Sequence, residues 1–508
     1  MQKILQWIKI DKIWYWWVGL AKNTDGKMII IKWWALPWST VDLKIVRQKK
    51  DYLEAHITQV KEYDKSIIDG EVFCPHFFSD LNKNEIDRNS LTTVGCGGCK
   101  RQILSYKNQL QLKEDIVKDA FNKLNKTNDI TILPIIGSPL EKFYRNKIEF
   151  SFGKYITKNR ETNQTETLSN RSVWFHKQWE FSKIIDVANC GLISDKANQV
   201  YSYLRKFCLD SGLPVYDEKT HQWVFRHIVI REGTNTWQML VNLWVSDDNI
   251  KESNNQKRES FIDNLSKDEF LKSIVDSLVI TYNNWLANTV RWNNSETKTF
   301  RGDWYIYEKL EFPTWDENEP VKDVSFRVSP FSFFQTNTKW AETLFWQAFK
   351  MLWYTKWNIL DLYCGTWSIG LSLMKLGVGD KLIWIEIVEE AIVDARNNAK
   401  INNIDNILFV AGPAEKILTT NTEIKEKITN LWLVVIDPPR DGLHKNVVKM
   451  LAEMKKESDY KLLYISCNPV TMARDIELFL AEGFKVRQIQ PVDMFPQTHH
   501  IECIGILS

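Results

Sequence analysis

Asn358-Ile359-Leu360-Asp361-Leu362-Tyr363-Cys364-Gly365-Thr366-Trp367-Ser368-Ile369-Gly370 is an apolar run that ends in a glycine-containing turn and leads into a helical pattern. Glycine at such a junction lets a nucleotide-like ligand approach the backbone amide groups. Further apolar runs follow, with room for helices between them, at residues 382–387, 407–410, 431–436 and 461–466. Strands that alternate with helices predict a doubly wound sheet, so we predict an α/β, Rossmann-like domain over residues 326–508.

A cysteine follows the last of these runs, in Leu463-Tyr464-Ile465-Ser466-Cys467-Asn468-Pro469. In α/β proteins, ligands bind in the crevice outside the carboxyl ends of the parallel strands. A thiol at that edge is held by the strand behind it and is open to the crevice, whereas a structural cysteine would lie in mid-strand. Cys467 is therefore a candidate nucleophile, with a structural cysteine as the alternative.

Two acidic residues end neighbouring runs. Glu386 ends a run about 20 residues after the glycine turn, where an acid accepts hydrogen bonds from ribose hydroxyls. Asp437 begins Asp437-Pro438-Pro439-Arg440-Asp441-Gly442, in which two prolines without backbone donors make a rigid turn. The pattern indicates S-adenosylmethionine or a dinucleotide as ligand. A surface acid and a simple strand-ending turn are the respective alternatives.

Charge and hydropathy limit the possible partners and compartments. The chain has 508 residues, with 66 Lys and Arg against 64 Asp and Glu, so a polyanion must be bound by local basic patches and not by the overall field. Its first residues contain no signal-peptide core, and no stretch reaches the roughly 18 uncharged apolar residues of a membrane span. We therefore expect a cytoplasmic protein with no membrane partner.

The N-terminal two thirds predict two further domains. Residues 1–62 alternate short β-rich runs with turns, which predicts a small OB-like β-barrel, and the basic residues near its far end suit either RNA binding or a solvated strand edge. Residues 63–325 mix strands with polar loops and predict an α+β domain. Within it, helical spacing of apolar residues predicts an amphipathic helix over 101–124. The polar stretch around Asn254-Asn255-Gln256-Lys257-Arg258 is interpreted as a surface insertion.

Four of the eight cysteines form a candidate metal site. Cys96-Gly97-Gly98-Cys99 is a tight pair whose glycines let two sulfurs turn toward one centre, with Cys74 before it and Cys190 far after it. Four thiolates can hold zinc or an iron–sulfur cluster, and spacing alone favours zinc.

Tryptophan is unusually frequent and glycine unusually rare. The chain has 23 Trp and 20 Gly, whereas average usage of about 7% predicts roughly 36 Gly. Trp pairs such as Trp16-Trp17 and Trp33-Trp34 lie among turn residues, where an aromatic surface for stacking bases is the simplest interpretation but does not explain the missing glycines.

Several segments, taken together and in order, resemble the TrmA/RumA family of RNA uracil-5-methyltransferases. The N-terminal region is similar to that family's TRAM domain, so the resemblance spans nearly the full length. The C-terminal and central segments that carry it are Phe334-Gln335-Thr336-Asn337, Asp361 to Gly370, Asp437-Pro438-Pro439-Arg440, Ser466-Cys467-Asn468-Pro469 with Ala473-Arg474-Asp475, His500-Ile501-Glu502, and Tyr144-Arg145-Asn146-Lys147-Ile148-Glu149.

The resemblance implies a role for each site residue. Uracil C5 is too weak a nucleophile to attack a methyl sulfonium, so the Cys467 thiolate would first add to C6, and Glu502 would later remove the C5 proton. The target base would have to be flipped out or unpaired. The resemblance further implies contacts to S-adenosylmethionine from Gln335, Tyr363, Gly365, Ser368, Glu386 and Asp437.

The resemblance also implies a second cofactor and an RNA partner. It reverses the preference for zinc, because RumA-like members hold a [4Fe-4S] cluster with cysteines arranged as Cys74, Cys96, Cys99 and Cys190. The 21 residues after Cys74 exceed the family's usual gap, and we interpret residues 76–94 as an insertion. Ribosomal RNA is the expected substrate of a monomeric enzyme. A transfer-RNA methyltransferase, an inactive RNA-binding protein and an iron–sulfur redox protein are the alternatives.

The tryptophans acquire a specific interpretation from this resemblance. Trp367 stands where methyltransferases need the second glycine of the cofactor turn, and an indole there should block the cofactor. Trp384 and Trp38 also replace expected glycines, as do Trp33, Trp34 and Trp432 in our interpretation. Since one residue type replaces one other, our hypothesis is that a codon for glycine in the source organism, UGA, has been translated as tryptophan.

Overall fold

The computed structural model describes residues 4–32, 35–77, 96–123, 129–158, 165–177, 180–217, 220–247, 252–283, 295–314, 320–352, 357–362, 368–428 and 431–508. Within these ranges the strands form three large sheets and a hairpin, and helices pack against the sheets of the central and C-terminal regions. The described residues include no helix with the length and apolar character needed to cross a membrane.

The N-terminal region is a six-stranded sheet. Its strands are β1 (Ile4–Lys9), β2 (Lys12–Trp14), β3 (Val18–Lys22), β4 (Met28–Lys32), β5 (Thr40–Gln48) and β6 (Tyr52–Glu62), in the spatial order β1-β5-β6-β4-β3-β2. Short strands thus alternate with turns over residues 1–62, as the sequence predicted. Between the described residues of the edge strands β1 and β2 no pairing closes the sheet, so the predicted barrel is not confirmed.

The helix predicted over 101–124 is α1 (Tyr106–Asn122), which begins five residues later than expected. Ser105 caps it by accepting a hydrogen bond from the Asn108 amide at 3.4 Å, so the chain before Ser105 lies outside the helix. α1 packs against the C-terminal region, and the short strand β7 (Thr131–Ile132) that follows joins the C-terminal sheet.

The central region is a seven-stranded mixed sheet in the order β10-β9-β8-β11-β12-β13-β14, with helices α2 to α4 packed on it. Its elements are β8 (Lys147–Lys158), β9 (Thr165–Lys177), β10 (Glu180–Asp186), α2 (Asp195–Asp210), β11 (Phe225–Glu232), β12 (Met239–Val245), α3 (Glu252–Lys267), α4 (Glu269–Ile274), β13 (Ser277–Tyr282) and β14 (Glu296–Arg301). A hairpin of β15 (Ile306–Phe312) and β16 (Lys322–Val328) follows.

The polar stretch around 254–258, which we interpreted as a surface insertion, lies in the first turns of α3, and all of its residues but Arg258 are exposed or half-buried. These residues belong to α3, which buries Arg258, Phe261, Ile262 and Leu265. Since these residues recur at the spacing of one helix face, α3 is part of the core of the central region. Gln256 and Lys257 are on the solvent-facing side of the helix.

The C-terminal region is an eight-stranded sheet in the order β19-β18-β17-β20-β21-β23-β22-β7. Its first five strands in this order are parallel to one another, and β23 is antiparallel to β21. The predicted doubly wound, Rossmann-like fold is confirmed. The elements are α5 (Thr338–Leu352), β17 (Trp357–Leu362), α6 (Ser368–Lys375), β18 (Gly379–Glu386), α7 (Glu389–Ile401), β19 (Ile407–Ala411), α8 (Ala414–Thr420), α9 (Thr422–Lys427), β20 (Leu431–Ile436), α10 (Lys445–Glu457), β21 (Lys461–Ser466), α11 (Pro469–Ala481), β22 (Val486–Val492) and β23 (Glu502–Leu507).

Alternate residues of the parallel strands face two different helical layers. In β20, Leu433 and Val435 belong to the core under α5, α6 and α7, whereas Val434 and Ile436 belong to the core under α8, α10 and α11. A strand buried on both faces is apolar at every position, which explains why the sequence shows continuous apolar runs.

Among the residues that the structure describes, five tryptophans have left-handed backbone conformations. Their φ angles lie between 55° and 65°, a region that favours glycine because a Cβ atom crowds the backbone there; they are Trp7, Trp16, Trp17, Trp38 and Trp237. Trp16 and Trp17 lie in a short 3₁₀ turn between β2 and β3. Trp384, by contrast, is buried in β18 with its ring centroid 5.4 Å from that of Phe409.

Candidate active site

Cys467 and Glu502 lie side by side at one edge of the C-terminal sheet. Cys467 directly follows β21, and Glu502 is the first residue of β23. β23 runs antiparallel to β21 with Cys503 opposite Ser466, so the end of one strand and the start of the other share the same edge. Asp437 follows the neighbouring strand β20 at that edge. The structure thus brings together three residues that are distant in sequence.

The turn that carries Cys467 is held by its neighbour. The Asn468 side chain caps α11 by accepting a hydrogen bond from the Val470 amide at 3.0 Å. Its Nδ2 donates to the Arg440 carbonyl oxygen at 2.9 Å, which ties the turn to the loop after β20. The Cys467 side chain is half-buried and free of any disulfide. The thiol is therefore fixed in place and still reachable from the crevice.

Burial and charge determine the protonation of this site. Burial raises the pKa of Cys467 to about 12, the carboxyl groups of Glu502 and Asp437 raise it too, and the Arg440 guanidinium opposes them. Burial and Asp437 hold the pKa of Glu502 well above its usual range, and burial raises the pKa of Asp437 to about 7. A carboxyl group with a raised pKa is a stronger proton acceptor once it ionises.

Alkylation of Cys467 by iodoacetamide is expected to become faster as the pH rises from 6.5 to 9. A pKa of about 12 keeps nearly all of the thiol protonated there, so each pH unit multiplies the reactive thiolate fraction about tenfold. Arg440→Gln should slow the reaction several-fold at low salt, because losing the guanidinium raises the pKa further. Mass spectrometry of the Cys467 peptide gives the rate. Arg440→Lys keeps the charge and is the control, and a rate for Arg440→Gln equal to that of the wild type would contradict the assignment.

Sequence reasoning missed one residue that touches this site. Tyr15, in the turn between β2 and β3, donates a hydrogen bond from its hydroxyl to the Cys467 carbonyl oxygen at 3.1 Å. The N-terminal sheet therefore reaches the catalytic edge directly. Burial and the neighbouring Cys467 thiol raise the pKa of Tyr15. Since 452 residues separate the partners, no local pattern in the sequence could reveal the contact.

A second group of acids marks the candidate cofactor crevice. Asp361 in β17 is buried, and burial together with Asp437 and Glu386 holds its pKa well above the usual range. Glu386 ends β18 and accepts a hydrogen bond from the Val388 amide at 3.0 Å. A Cβ atom on Gly370 of α6 would lie 2.5 Å from an Asp361 carboxyl oxygen, so this position has no room for a side chain.

The other predicted cofactor residues are only partly described. The Gln335 carbonyl oxygen accepts a hydrogen bond from Asn146 Nδ2 at 2.8 Å, which ties its segment to the central sheet. Ser368 begins α6, and its side chain is not described. Tyr363, Gly365 and Trp367 lie outside the described residues, so the predictions made for them stay predictions.

Four cysteines line one cavity in the central region. They are Cys74, Cys96, Cys99 and Cys190, and Cys96 Sγ also accepts a hydrogen bond from the Gly98 amide at 3.4 Å. In the described part of the chain, no group of three or more His, Cys, Asp or Glu side chains is arranged to hold a metal ion. The thiols therefore share a cavity without forming a ready-made cage. The proposed insertion at 76–94 lies mostly outside the described residues.

Three comparisons place the chain among known proteins. A family model described as tRNA (uracil-5-)-methyltransferase matches residues 307–508. An uncharacterized RNA methyltransferase of Caldanaerobacter subterraneus is 31% identical over 471 residues, which cover 92% of this chain and 91% of that protein. One from Bacteroides thetaiotaomicron is 31% identical over 496 residues, covering 96% and 98%.

A solved structure has the same fold. The tRNA (uracil-54, C5)-methyltransferase of Pyrococcus abyssi, in complex with S-adenosyl-L-homocysteine, aligns over 100% of both chains with a TM-score of 0.67 and 22% sequence identity. At this identity the match concerns the fold.

Proposed function

The chain belongs to a family of RNA methyltransferases, and we propose that it methylates C5 of a uridine in RNA with S-adenosylmethionine as the methyl donor, in line with the uracil-5-methyltransferase model that its residues 307–508 match. The observation that carries the proposal is the pairing of a reachable thiol, Cys467, with a buried carboxyl group, Glu502, at the ligand-binding edge of the sheet. Methylation at C5 needs these two groups together.

Each residue has one step in this chemistry. The Cys467 thiolate adds to C6, and the electron pair of the C5–C6 double bond moves onto the C4 carbonyl, which makes C5 nucleophilic. The cofactor supplies the methyl group that C5 takes up. Glu502 then accepts the C5 proton, the C5–C6 double bond re-forms, and the bond from C6 to Cys467 breaks to return the thiolate. The uridine has to leave the base stack for C6 to meet the thiol.

Strand ends form the proposed cofactor site. The crevice at the ends of β17, β18 and β20 fits S-adenosylmethionine, because its acids can accept hydrogen bonds from ribose and amine groups. Gly370 has no side chain, which lets α6 pack closely against β17 beside this crevice. The residues proposed to contact the cofactor are Gln335, Tyr363, Gly365, Ser368, Glu386 and Asp437.

The shared cysteine cavity supports a [4Fe-4S] cluster as a second cofactor. Cys74, Cys96, Cys99 and Cys190 bring four soft thiol ligands to one buried place, which fits a cluster in its donor set. The N-terminal sheet is proposed to be the TRAM-like module that binds RNA. We propose ribosomal RNA as the substrate, with transfer RNA as the alternative.

The function is tested with RNA that contains 5-fluorouracil. Fluorine at C5 cannot be removed as a proton. The wild-type protein, prepared with glycine at position 367 because an indole there should block the cofactor, should therefore become covalently bound to this RNA when cofactor is present, visible as a band of reduced mobility on a denaturing gel. Cys467→Ala should give no band and no methyl transfer. Methyl transfer by Cys467→Ala, or its absence from the wild type on both RNA classes, would refute the proposal. Mapping 5-methyluridine in both RNAs from a deletion strain identifies the substrate.

A further inference from the structure

A strained backbone lies five residues before Glu502. Residues 493–500, here called the base-proximal segment, connect β22 to β23, and Gln497 within it has a φ of 67°. This left-handed conformation is uncommon for any residue but glycine, and it persists only where the surrounding structure holds it. The contacts that hold Gln497 therefore determine how the chain enters β23.

A glutamine of α1 holds that backbone. The Gln497 amide donates to Gln109 Oε1 at 2.9 Å, and Gln109 Nε2 donates to Gln497 Oε1 at 2.9 Å. Gln109 is completely buried and Gln497 is 4% exposed. Gln109 Nε2 also lies 2.9 Å from the Leu104 carbonyl oxygen and 3.1 Å from that of Arg101, so the donor is itself fixed. A buried, reciprocal pair of this kind is strong because water cannot replace either partner.

Four more contacts, made by three residues between 100 and 144, hold the same segment. Lys113 of α1, fully buried, pairs with Asp493 at 2.6 Å and donates to the Phe495 carbonyl oxygen at 3.1 Å. The Lys100 amide, one residue after Cys99, donates to the Gln497 carbonyl oxygen at 2.7 Å. The Tyr144 hydroxyl donates to the Pro496 carbonyl oxygen at 2.9 Å. The base-proximal segment is thus shaped by residues outside the catalytic sheet.

We propose that Gln109 is a positioning residue for proton removal, which it serves by holding Gln497 left-handed so that Glu502 faces Cys467. This inference rests on the proposed function. Gln109 touches neither RNA nor cofactor, and its effect passes through the backbone of the base-proximal segment. When Glu502 is misplaced, Cys467 can still add to C6 and C5 can still be methylated, but the C5 proton stays and the bond from C6 to sulfur is not broken.

The test is Gln109→Met, which keeps the size of the side chain and removes both hydrogen bonds to Gln497 together with those to the Leu104 and Arg101 carbonyl oxygens. Full-length protein with ordinary uridine RNA and S-adenosylmethionine should show turnover lowered about tenfold, and methylated RNA should accumulate covalently bound to the protein. Gln109→Met with Gln497→Gly should recover most of the turnover, because glycine adopts a positive φ without a partner. A variant that had merely lost stability would lose turnover without accumulating methylated RNA bound to the protein, so the bound RNA separates the two explanations.

Gln111→Met, on the exposed side of α1, is the matched control and should behave as the wild type.

A second readout needs no RNA. Glu502 raises the pKa of Cys467, so displacement of Glu502 in Gln109→Met should make alkylation of Cys467 faster at pH 8, and Gln497→Gly should restore the slower rate. Unchanged alkylation and unchanged turnover, or lost turnover without the bound RNA, would overturn the inference. An inactive wild type would refute the proposed function, while the alkylation rates would still test whether Gln109 positions Glu502.

Discussion

Glu502→Gln is expected to stop after methyl transfer, with its RNA still covalently attached to Cys467. The amide cannot accept the C5 proton, so the C5–C6 double bond does not re-form and the thiolate is not released. Turnover should fall about 10²- to 10⁴-fold, the usual size of a general-base contribution. The attached RNA is measured on a denaturing gel with radiolabelled methyl groups, which should appear in the protein–RNA band.

The substitution should leave the fold intact. Glu502 is buried, and glutamine has nearly the same size and shape, so the substitution opens no cavity and introduces no buried charge. Glu482→Gln, an exposed acid at the end of α11, is the matched control and should keep full turnover. Free methylated RNA released by Glu502→Gln at the wild-type rate would show that another group removes the proton.

The parallel strands of the catalytic sheet could be predicted from the sequence because they are buried on both faces. Each of the five apolar runs became a strand within a few residues of the predicted limits, and Cys467 and Asp437 follow two of them. A strand end is a local feature, so the sequence predicts it well. Glu502 reaches the same edge through the pairing of β21 with β23, which no local pattern shows; the resemblance implied only the role of Glu502.

The contacts that shape the site could not be predicted in the same way. Tyr15, Gln109 and Lys113 reach the catalytic region across 380 to 452 residues of chain, and the sequence indicated a role in the site for none of them. Lys113 illustrates the reason: a lysine inside an amphipathic helix normally marks its wet face, yet here it is buried against Asp493. Such pairs depend on how the regions pack against one another, and the periodicity of the sequence does not show that packing.

The left-handed tryptophans give the glycine hypothesis a physical basis. Four of the five have exposed side chains, so their indole rings gain little from burial; they are Trp7, Trp16, Trp38 and Trp237. A Cβ atom in the left-handed region costs about 1–2 kcal/mol per residue, and glycine avoids that penalty at about 0.5–1 kcal/mol in lost chain entropy. An exposed tryptophan at such a position therefore destabilises the fold.

Replacing these four tryptophans with glycine should raise the free energy of unfolding by about 2–4 kcal/mol, since the sites are separate enough to add. Unfolding by urea, followed by circular dichroism so that lost indole fluorescence does not interfere, measures the change. Phe333→Gly is the control, because Phe333 is equally exposed but is not in the left-handed region, and glycine there should be neutral or destabilising. A gain confined to the four tryptophans, together with glycine at these positions in peptides of the protein from its own source, would establish that the codons mean glycine. Indole in those peptides would refute it whatever the stability, and unchanged or lower stability would mean that the surrounding sheet prefers the larger side chain.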